Sequence, residues 1–169
     1  QKISQADVVL FPGVGTFGAA MTRLKETGLD QVIKSTVANG TPFLGICLGM
    51  QLLFDSSTEF GSAAGLGLIP GQVVRIPDDD GQRIVPQVGW NQNELQQPES
   101  IFKSIDQQYT YFVHSYYLKA REESIVKATI EYSTHIHASV EKDNIFACQF
   151  HPEKSGTVGL QILSNFAKL

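Results

Sequence analysis

Cysteine, charge and long apolar runs are all scarce in this chain of 169 residues. Its two cysteines are too few for the disulfide framework of a small secreted domain, which favours a reducing cytoplasm. A formal charge of −4 and a charged fraction of 18% argue against a general surface for nucleic acids or anionic membranes. No apolar run approaches the ~20 residues that span a bilayer, and the sequence opens without the pattern of a secretory leader. We therefore expect one cytoplasmic globular domain over residues 1–169.

Apolar periodicity predicts a mixed α/β order of elements. The predicted strands are 7–11, 41–46, 72–76, 83–88, 110–113, 125–132, 136–141 and 145–150. The predicted helices lie around 21–24, at 29–37, from 48 through 54 and at 157–169. Early alternation of strand and helix favours parallel pairing, and the later strands add antiparallel pieces. The expected fold is α/β, with a mixed, largely parallel central sheet flanked by helices. The polar segment 77–81 is typical of a hairpin turn.

The stretch Gly45-Ile-Cys47-Leu-Gly49 has the layout of a nucleophile elbow. A short apolar run precedes it and a helical pattern follows, which predicts that Cys47 sits on a sharp strand-to-helix turn. Unpaired N–H groups and the helix dipole would favour its thiolate there. The alternative is a small buried hydrophobe, as most free cysteines are, but packing alone does not account for both flanking glycines. Cys148 has no neighbouring glycine, and we predict that it is such a core residue.

His151 and Glu153 can supply the base that a nucleophilic cysteine needs and the group that orients this base. Proline disfavours helical angles in the preceding residue, so His151 is predicted to be extended. Side chains two apart in an extended segment point the same way, which would bring the imidazole and the carboxylate together. Taken alone, the segment also fits a surface histidine beside a turn carboxylate. The cysteine elbow favours the catalytic interpretation.

These segments resemble the triad of class I glutamine amidotransferases, and more specifically the glutaminase subunits of imidazole glycerol phosphate synthases. The supporting segments are 11–17, 65–71, 86–91, 112–116 and 151–155, so the resemblance covers nearly the whole chain. Family members normally begin with an additional strand–helix–strand segment that this sequence lacks. Gln87 also stands where related sequences often carry histidine. We therefore expect a single amidotransferase domain that is incomplete at its amino terminus.

The resemblance implies hydrolysis of glutamine by Cys47, His151 and Glu153, without a metal or an organic cofactor. The backbone N–H of Leu48 would be one oxyanion donor and the N–H of Val14 the other. Glycines flank Val14 and would let its peptide rotate as a gate, although the glycines alone are explained more simply by a tight turn. The residues that match substrate-binding positions of the family are Gly13, Gly15, Gln51, Glu59, Ser115 and Tyr116.

The resemblance also implies a partner, a (β/α)₈-barrel cyclase that receives ammonia through a protein passage. The complex would make imidazole glycerol phosphate and an aminoimidazole carboxamide ribotide in histidine biosynthesis. Trp90, Asn91 and Lys154 match segments near that interface, although a lone tryptophan could equally close over a local core.

The other three histidines have simpler interpretations. His114 has no carboxylate two residues away and is predicted to be structural, while His135 and His137 lack a third ligand for a metal. Three further functions stay open: the glutaminase of pyridoxal phosphate synthase, a γ-glutamyl peptidase and a catalytically silent binding subunit.

Overall fold

Twelve strands and four α-helices make up the computed structural model, which describes residues 2–169. The strands are β1 (Val9–Gly13), β2 (Phe43–Cys47), β3 (Phe54–Ser57), β4 (Ala63–Ala64), β5 (Ile69–Arg75), β6 (Gln87–Gln92), β7 (Glu94–Leu95), β8 (Tyr109–His114), β9 (Tyr116–Ala120), β10 (Val126–Tyr132), β11 (Thr134–Lys142) and β12 (Ile145–Cys148). The helices are α1 (Phe17–Glu26), α2 (Leu29–Ala38), α3 (Leu48–Leu52) and α4 (Gly156–Phe166). Among the described residues, no helix is both long and apolar enough to cross a membrane.

The main sheet has the spatial order β1-β2-β12-β11-β10-β7. The pairs β1–β2 and β2–β12 are parallel, and the pairs from β12 through to β7 are antiparallel. A second sheet has the order β4-β3-β5-β9, and β6 pairs with β8 in a separate two-stranded ladder. The predicted α/β class with a mixed central sheet and flanking helices is confirmed. The sheet is not largely parallel as predicted, because within residues 2–169 only two of its five strand pairs are parallel and the later strands pair as antiparallel neighbours. Its parallel part is the half that carries the cysteine elbow.

Strand β2 is buried along its whole length, because cores lie on both of its faces. All five of its residues are buried. Phe43 packs into the core that α1, α2 and α3 cover, and Leu44 into the core that includes Ile162 and Phe166 of α4. Full burial of one such side chain contributes about 2 kcal/mol to folding. An unbroken apolar run, without alternation, is what a parallel strand covered on both faces requires.

Three local predictions were wrong. The segment 77–81 is not a hairpin turn, because β5 pairs with β3 and β9 while β6 pairs with β8. The strand predicted at 83–88 begins only at Gln87. Pro86 directly precedes it, and a proline has no N–H to donate to a neighbouring strand. The helix after Cys47 is also shorter than predicted, since the chain turns into β3 at Phe54.

Candidate active site

Cys47 joins β2 to α3 in a strained backbone conformation, with φ 55° and ψ −115°. A non-glycine residue adopts such angles only when the surrounding structure holds it there. The flanking glycines explain how. A Cβ at Gly49 would lie 1.8 Å from the carbonyl oxygen of Phe11, and a Cβ at Gly45 would lie 2.8 Å from Cδ1 of Leu53. Glycine at these positions lets α3 pack directly against β1 and β2, and the turn holds the sulfur at the edge of the sheet.

The Cys47 thiol is buried, with 9% of its surface exposed. Burial raises its pKa, and the charge of Glu153 adds to the increase. The N–H of Leu48 and the side-chain amide of Gln149 act in the opposite direction. The expectation of a favoured thiolate was therefore wrong for this state, because desolvation outweighs the donors. A five-residue helix such as α3 also offers only a short dipole.

His151 lies at the same end of the sheet as Cys47, because β2 and β12 run parallel with Ile46 opposite Cys148. Its Nδ1 lies 2.8 Å from Oε1 of Glu153. Its Nε2 is buried and has no hydrogen-bond partner within residues 2–169. The imidazole thus has one nitrogen engaged by a carboxylate and the other left without a partner.

The local backbone brings His151 and Glu153 together in a way that differs from the predicted one. His151 itself is extended, with φ −98° and ψ 99°, as the following proline predicted. Pro152–Lys154 then forms a 3₁₀ turn instead of continuing the strand. The carboxylate therefore returns to the ring through a turn, and not through strand alternation.

Ser155, which sequence reasoning passed over, ties the histidine segment to β8. Its hydroxyl donates to the carbonyl of His151 at 2.6 Å and accepts from the N–H of Tyr111 at 3.0 Å. The N–H of His151 donates to the carbonyl of Tyr111, also at 3.0 Å. These contacts hold the histidine backbone from both sides. A small polar residue next to a turn is too common a pattern to have indicated this role.

A cavity of about 320 Å³ opens beside the sulfur. The predicted site residues that line it are Val14, Gly15, Cys47, Leu48, Gln51, Glu59, Ser115, Tyr116, His151 and Lys154. Gly13 lies just behind the wall, where a Cβ would come within 3.3 Å of the Leu48 Cβ. Trp90 and Asn91 lie outside the lining. The fold therefore gathers in one cavity residues that are far apart in the chain.

In the cavity wall, Glu59 accepts a hydrogen bond and Gln51 donates two. The carboxylate of Glu59 accepts a 2.7 Å hydrogen bond from the N–H of Phe17, the first residue of α1. The amide of Gln51 donates to the carbonyl of Tyr116 at 3.0 Å and to Oε1 of Gln149 at 2.9 Å. Glu59 thus connects the start of α1 to the cavity. Gln51 connects α3 to the start of β9 and to the end of β12.

Gln149 is a polar neighbour of the sulfur that the sequence analysis missed. Its side chain is fully buried, and its Nε2 lies 3.7 Å from Sγ of Cys47. The signal that could have found it is a glutamine in an otherwise apolar strand end, two residues before His151.

His114 fits the structural role that was predicted for it. It is buried between β6 and β9, where its Nδ1 lies 2.8 Å from the carbonyl of Tyr116 and its Nε2 2.8 Å from the side chain of Gln87. Burial lowers its pKa to about 4, so the ring is neutral at physiological pH. The atom of Gln87 that faces Nε2 is Oε1, an acceptor like the Tyr116 carbonyl. A neutral ring that donates from Nδ1 to the carbonyl is therefore satisfied at Nε2 only when the Gln87 amide is rotated so that its NH₂ group faces the ring. The side chain of Gln87 is therefore engaged by His114 within this chain.

An exposed apolar surface continues from the cavity along the β6–β8 ladder. We call it the ladder face; it consists of Val88, Trp90, Tyr109, Tyr111 and Val113. Trp90 is 55% exposed and stacks edge-on against Tyr111, whose ring lies 5.8 Å from Nζ of Lys154. Asn91 points to the other side of the ladder and donates to the carbonyl of Glu131.

The remaining candidates carry no comparable chemistry. Cys148 is confirmed as a core residue; it is fully buried, and burial raises its pKa well above the usual range. His135 contacts the Glu131 carboxylate, and Nε2 of His137 lies 3.6 Å from Glu123. Within residues 2–169, no group of three or more His, Cys, Asp or Glu side chains could hold a metal ion.

Comparisons with known proteins place this geometry in a family. The model of the family described as glutamine amidotransferase class-I matches residues 1–169. The imidazole glycerol phosphate synthase subunit HisH of Lactiplantibacillus plantarum is 52% identical over 169 residues, which is 100% of this chain and 80% of that protein. The subunit HisH of Bacillus subtilis is 46% identical over 172 residues, covering 100% of this chain and 81% of that protein.

Solved structures agree on the fold. A crystal structure of a glutamine amidotransferase matches with a TM-score of 0.69 and 17% identity, covering 95% of this chain and 79% of that one. PurLQS from Thermotoga maritima matches with a TM-score of 0.70 and 15% identity, covering 96% of this chain and 79% of that one. The chain belongs to the class-I glutamine amidotransferase family and, within it, to the HisH subunits of imidazole glycerol phosphate synthase.

Proposed function

We propose that this chain hydrolyses the side-chain amide of glutamine to glutamate and ammonia, with Cys47 as nucleophile and His151 as acid and base. One observation carries the proposal. Cys47 and His151 line the same cavity, and His151 has a carboxylate at Nδ1 while its buried Nε2 has no partner within residues 2–169. A nucleophile, a base and an orienting group in this order can perform acyl transfer.

The reaction begins from a neutral thiol, because burial raises the pKa of Cys47. His151 accepts the thiol proton through Nε2 as the sulfur attacks the amide carbon, and Glu153 supports the resulting imidazolium. The same nitrogen then protonates the departing ammonia, which leaves a γ-glutamyl thioester on Cys47. His151 next activates a water molecule that releases glutamate.

The oxyanion of the tetrahedral intermediate needs positioned donors, and losing one of them can cost roughly 3 kcal/mol. The N–H of Leu48 is one donor; its contact with the thiol already lowers the pKa of Cys47. The N–H of Val14 is the second, once rotation of its peptide between Gly13 and Gly15 turns it towards the cavity. Gly15 has φ +100°, so this loop already uses glycine geometry.

Substrate binding follows from the cavity wall. Glutamine carries an ammonium and a carboxylate besides its reactive amide, so its pocket needs a negative group and several polar ones. Glu59 supplies the carboxylate, and Gln51 with the backbone of Ser115 and Tyr116 supplies polar groups beside the elbow. No cofactor takes part.

The ladder face is proposed as the docking surface for a (β/α)₈-barrel cyclase that consumes the ammonia. Large exposed aromatic and aliphatic side chains in one contiguous row are typical of an interface. Val113 and Lys154 border both this face and the cavity, so a partner seated there would cover the mouth from which ammonia leaves. The complex would make imidazole glycerol phosphate and an aminoimidazole carboxamide ribotide in histidine biosynthesis, in a cytoplasm that keeps Cys47 reduced.

The relatives named HisH favour this function over the glutaminase of pyridoxal phosphate synthase. A γ-glutamyl peptidase would need an open cleft for an extended peptide, and a silent binding subunit would have no use for the Cys47 conformation. Assays with glutamine and with γ-glutamyl peptides distinguish a glutaminase from a γ-glutamyl peptidase.

Co-expression with a barrel cyclase tests the proposal. We expect glutamine-dependent formation of the imidazole product, which the Cys47→Ala variant lowers by about 10⁴-fold or more while added ammonia still supports the reaction. A glutamine-analogue electrophile should label Cys47, and a Cys148→Ala variant should be labelled equally. Labelling confined to Cys148 would favour the silent subunit. Equal glutaminase rates for the free subunit and for the complex with the cyclase's ligand would remove the Val14 gate.

A further inference from the structure

Within residues 2–169, two groups donate to the Cys47 sulfur: the backbone N–H of Leu48 and the side-chain amide of Gln149. Gln149 follows β12 directly, and its backbone N–H is held by the carbonyl of Ala138 on β11 at 2.8 Å. Its side chain is fully buried. A buried amide costs free energy unless each of its polar ends finds a partner, so its two contacts deserve an account.

The hydrogen-bond pattern defines which end of the Gln149 amide faces the sulfur. The carbonyl of Tyr116 can only accept, so the NH₂ group of Gln51 must point to it, at 3.0 Å. The second proton of that same NH₂ group lies against Oε1 of Gln149, at 2.9 Å. With its oxygen occupied in this way, Gln149 can present only its own NH₂ group to Cys47.

We propose that Gln149 is a positioning residue for the nucleophile: its amide, locked by Gln51, donates a hydrogen bond to Cys47 Sγ and so favours the thiolate that attacks. The inference rests on the proposed function for its catalytic meaning. A hydrogen bond to a charged acceptor is stronger than one to a neutral acceptor. The 3.7 Å contact of the resting thiol should therefore strengthen once the proton has moved to His151.

The donation also explains how the fold tolerates a thiolate in a desolvated site. Burial raises the pKa of Cys47, and the Gln149 amide is one of the groups that opposes this increase. Because Gln51 belongs to α3 and Gln149 follows β12, the amide also ties the elbow helix to the strand that leads to His151. The nucleophile and the base are thus joined through a pair of amides.

The experiment measures the rate at which iodoacetamide alkylates Cys47 in the purified subunit as a function of pH. Gln149→Met keeps the side-chain length without a donor, and Gln149→Asn keeps an amide that is too short to reach the sulfur. Both variants should raise the pKa of the Cys47 thiol, by about one unit or more for Gln149→Met, since a donor to a charged group is lost. Their kcat should fall at least about tenfold, while KM for glutamine stays within about twofold.

Two controls separate positioning from damage to the fold. Cys148 is fully buried, so its labelling reports unfolding in the same sample. Thr36→Val removes a buried hydroxyl that donates to the carbonyl of Val32 on α2, away from the cavity, and should leave the profile unmoved. An unchanged alkylation profile in both folded Gln149 variants overturns the inference even if the chain hydrolyses glutamine. A shifted profile in a chain that hydrolyses no glutamine even in complex with the cyclase and its ligand upholds the contact and overturns the proposed function instead.

Discussion

Gly159 of α4 lies so close to Pro152 that a Cβ on it would be 1.9 Å from the proline carbonyl oxygen. Pro152 stands between His151 and Glu153, so the helix packs directly against the segment that joins these two residues. The turn cannot move towards α4, and the contacts of Ser155 with His151 and Tyr111 hold it from the other side. The imidazole therefore takes its position from the packing of a helix.

Gly159→Ala is expected to displace this turn. The added methyl meets backbone, which cannot rotate away, and overpacking of this kind typically costs 1–3 kcal/mol. Both the melting temperature and the glutaminase kcat should fall. Gly18→Ala on α1 is the matched control, because no atom lies within 4 Å of its added Cβ and alanine favours a helix by up to about 1 kcal/mol. An active Gly159→Ala enzyme with unchanged melting would contradict the packing argument.

Glu153→Gln should lower kcat by about 10²-fold with little change in KM. The amide can still accept from Nδ1 of His151, but it no longer stabilises the imidazolium electrostatically. The Glu153 side chain is 50% exposed, so water replaces part of its effect and the loss stays below that of a fully buried carboxylate. Glu131→Gln is the control, since Glu131 contacts His135 on the surface, outside the cavity. Equal kcat in both variants would argue against the triad.

The free energy of unfolding should depend on His114 between pH 4 and 6.5. Its folded pKa is about 4, whereas an unfolded histidine titrates near 6.5. In that interval the unfolded chain binds a proton that the folded chain excludes. The stability is fully present above about pH 6.5 and falls by about 3 kcal/mol as the pH drops to about 4. Urea denaturation across this range measures it. The His114→Gln variant should lose this part of the slope, and identical slopes would mean that the ring is not held neutral.

Trp90→Ala should weaken binding of the cyclase by about 2 kcal/mol, or roughly 30-fold in Kd, without lowering the melting temperature of the free subunit. Trp90 is 55% exposed, so its loss removes interface area and little internal packing. Titration calorimetry measures the change. Leu160→Ala on α4 is the control, because Leu160 is 63% exposed and does not belong to the ladder face. Unchanged affinity in Trp90→Ala would exclude this face as the docking surface.

The features that the sequence predicted well are those whose physical cause is local. The glycines around Cys47 are required where a helix packs on the strand before it, and that requirement shows in the pattern itself. The extended backbone of His151 follows from the proline after it. The predicted hairpin at 77–81 was wrong because β5 and β6 each pair with a strand that is distant in the sequence. The turn residues between them carry no information about such pairing.

Sequence alone determined the strand-to-helix turn at Cys47, the extended backbone of His151 and the neighbourhood of His151 and Glu153, because each depends on residues next to one another. Tertiary structure decided the rest. The parallel pairing of β2 with β12 brings the sulfur and the imidazole to the same end of one sheet. The partner of the sulfur, Gln149, and the raised pKa of Cys47 both follow from burial, and burial is a property of the assembled core.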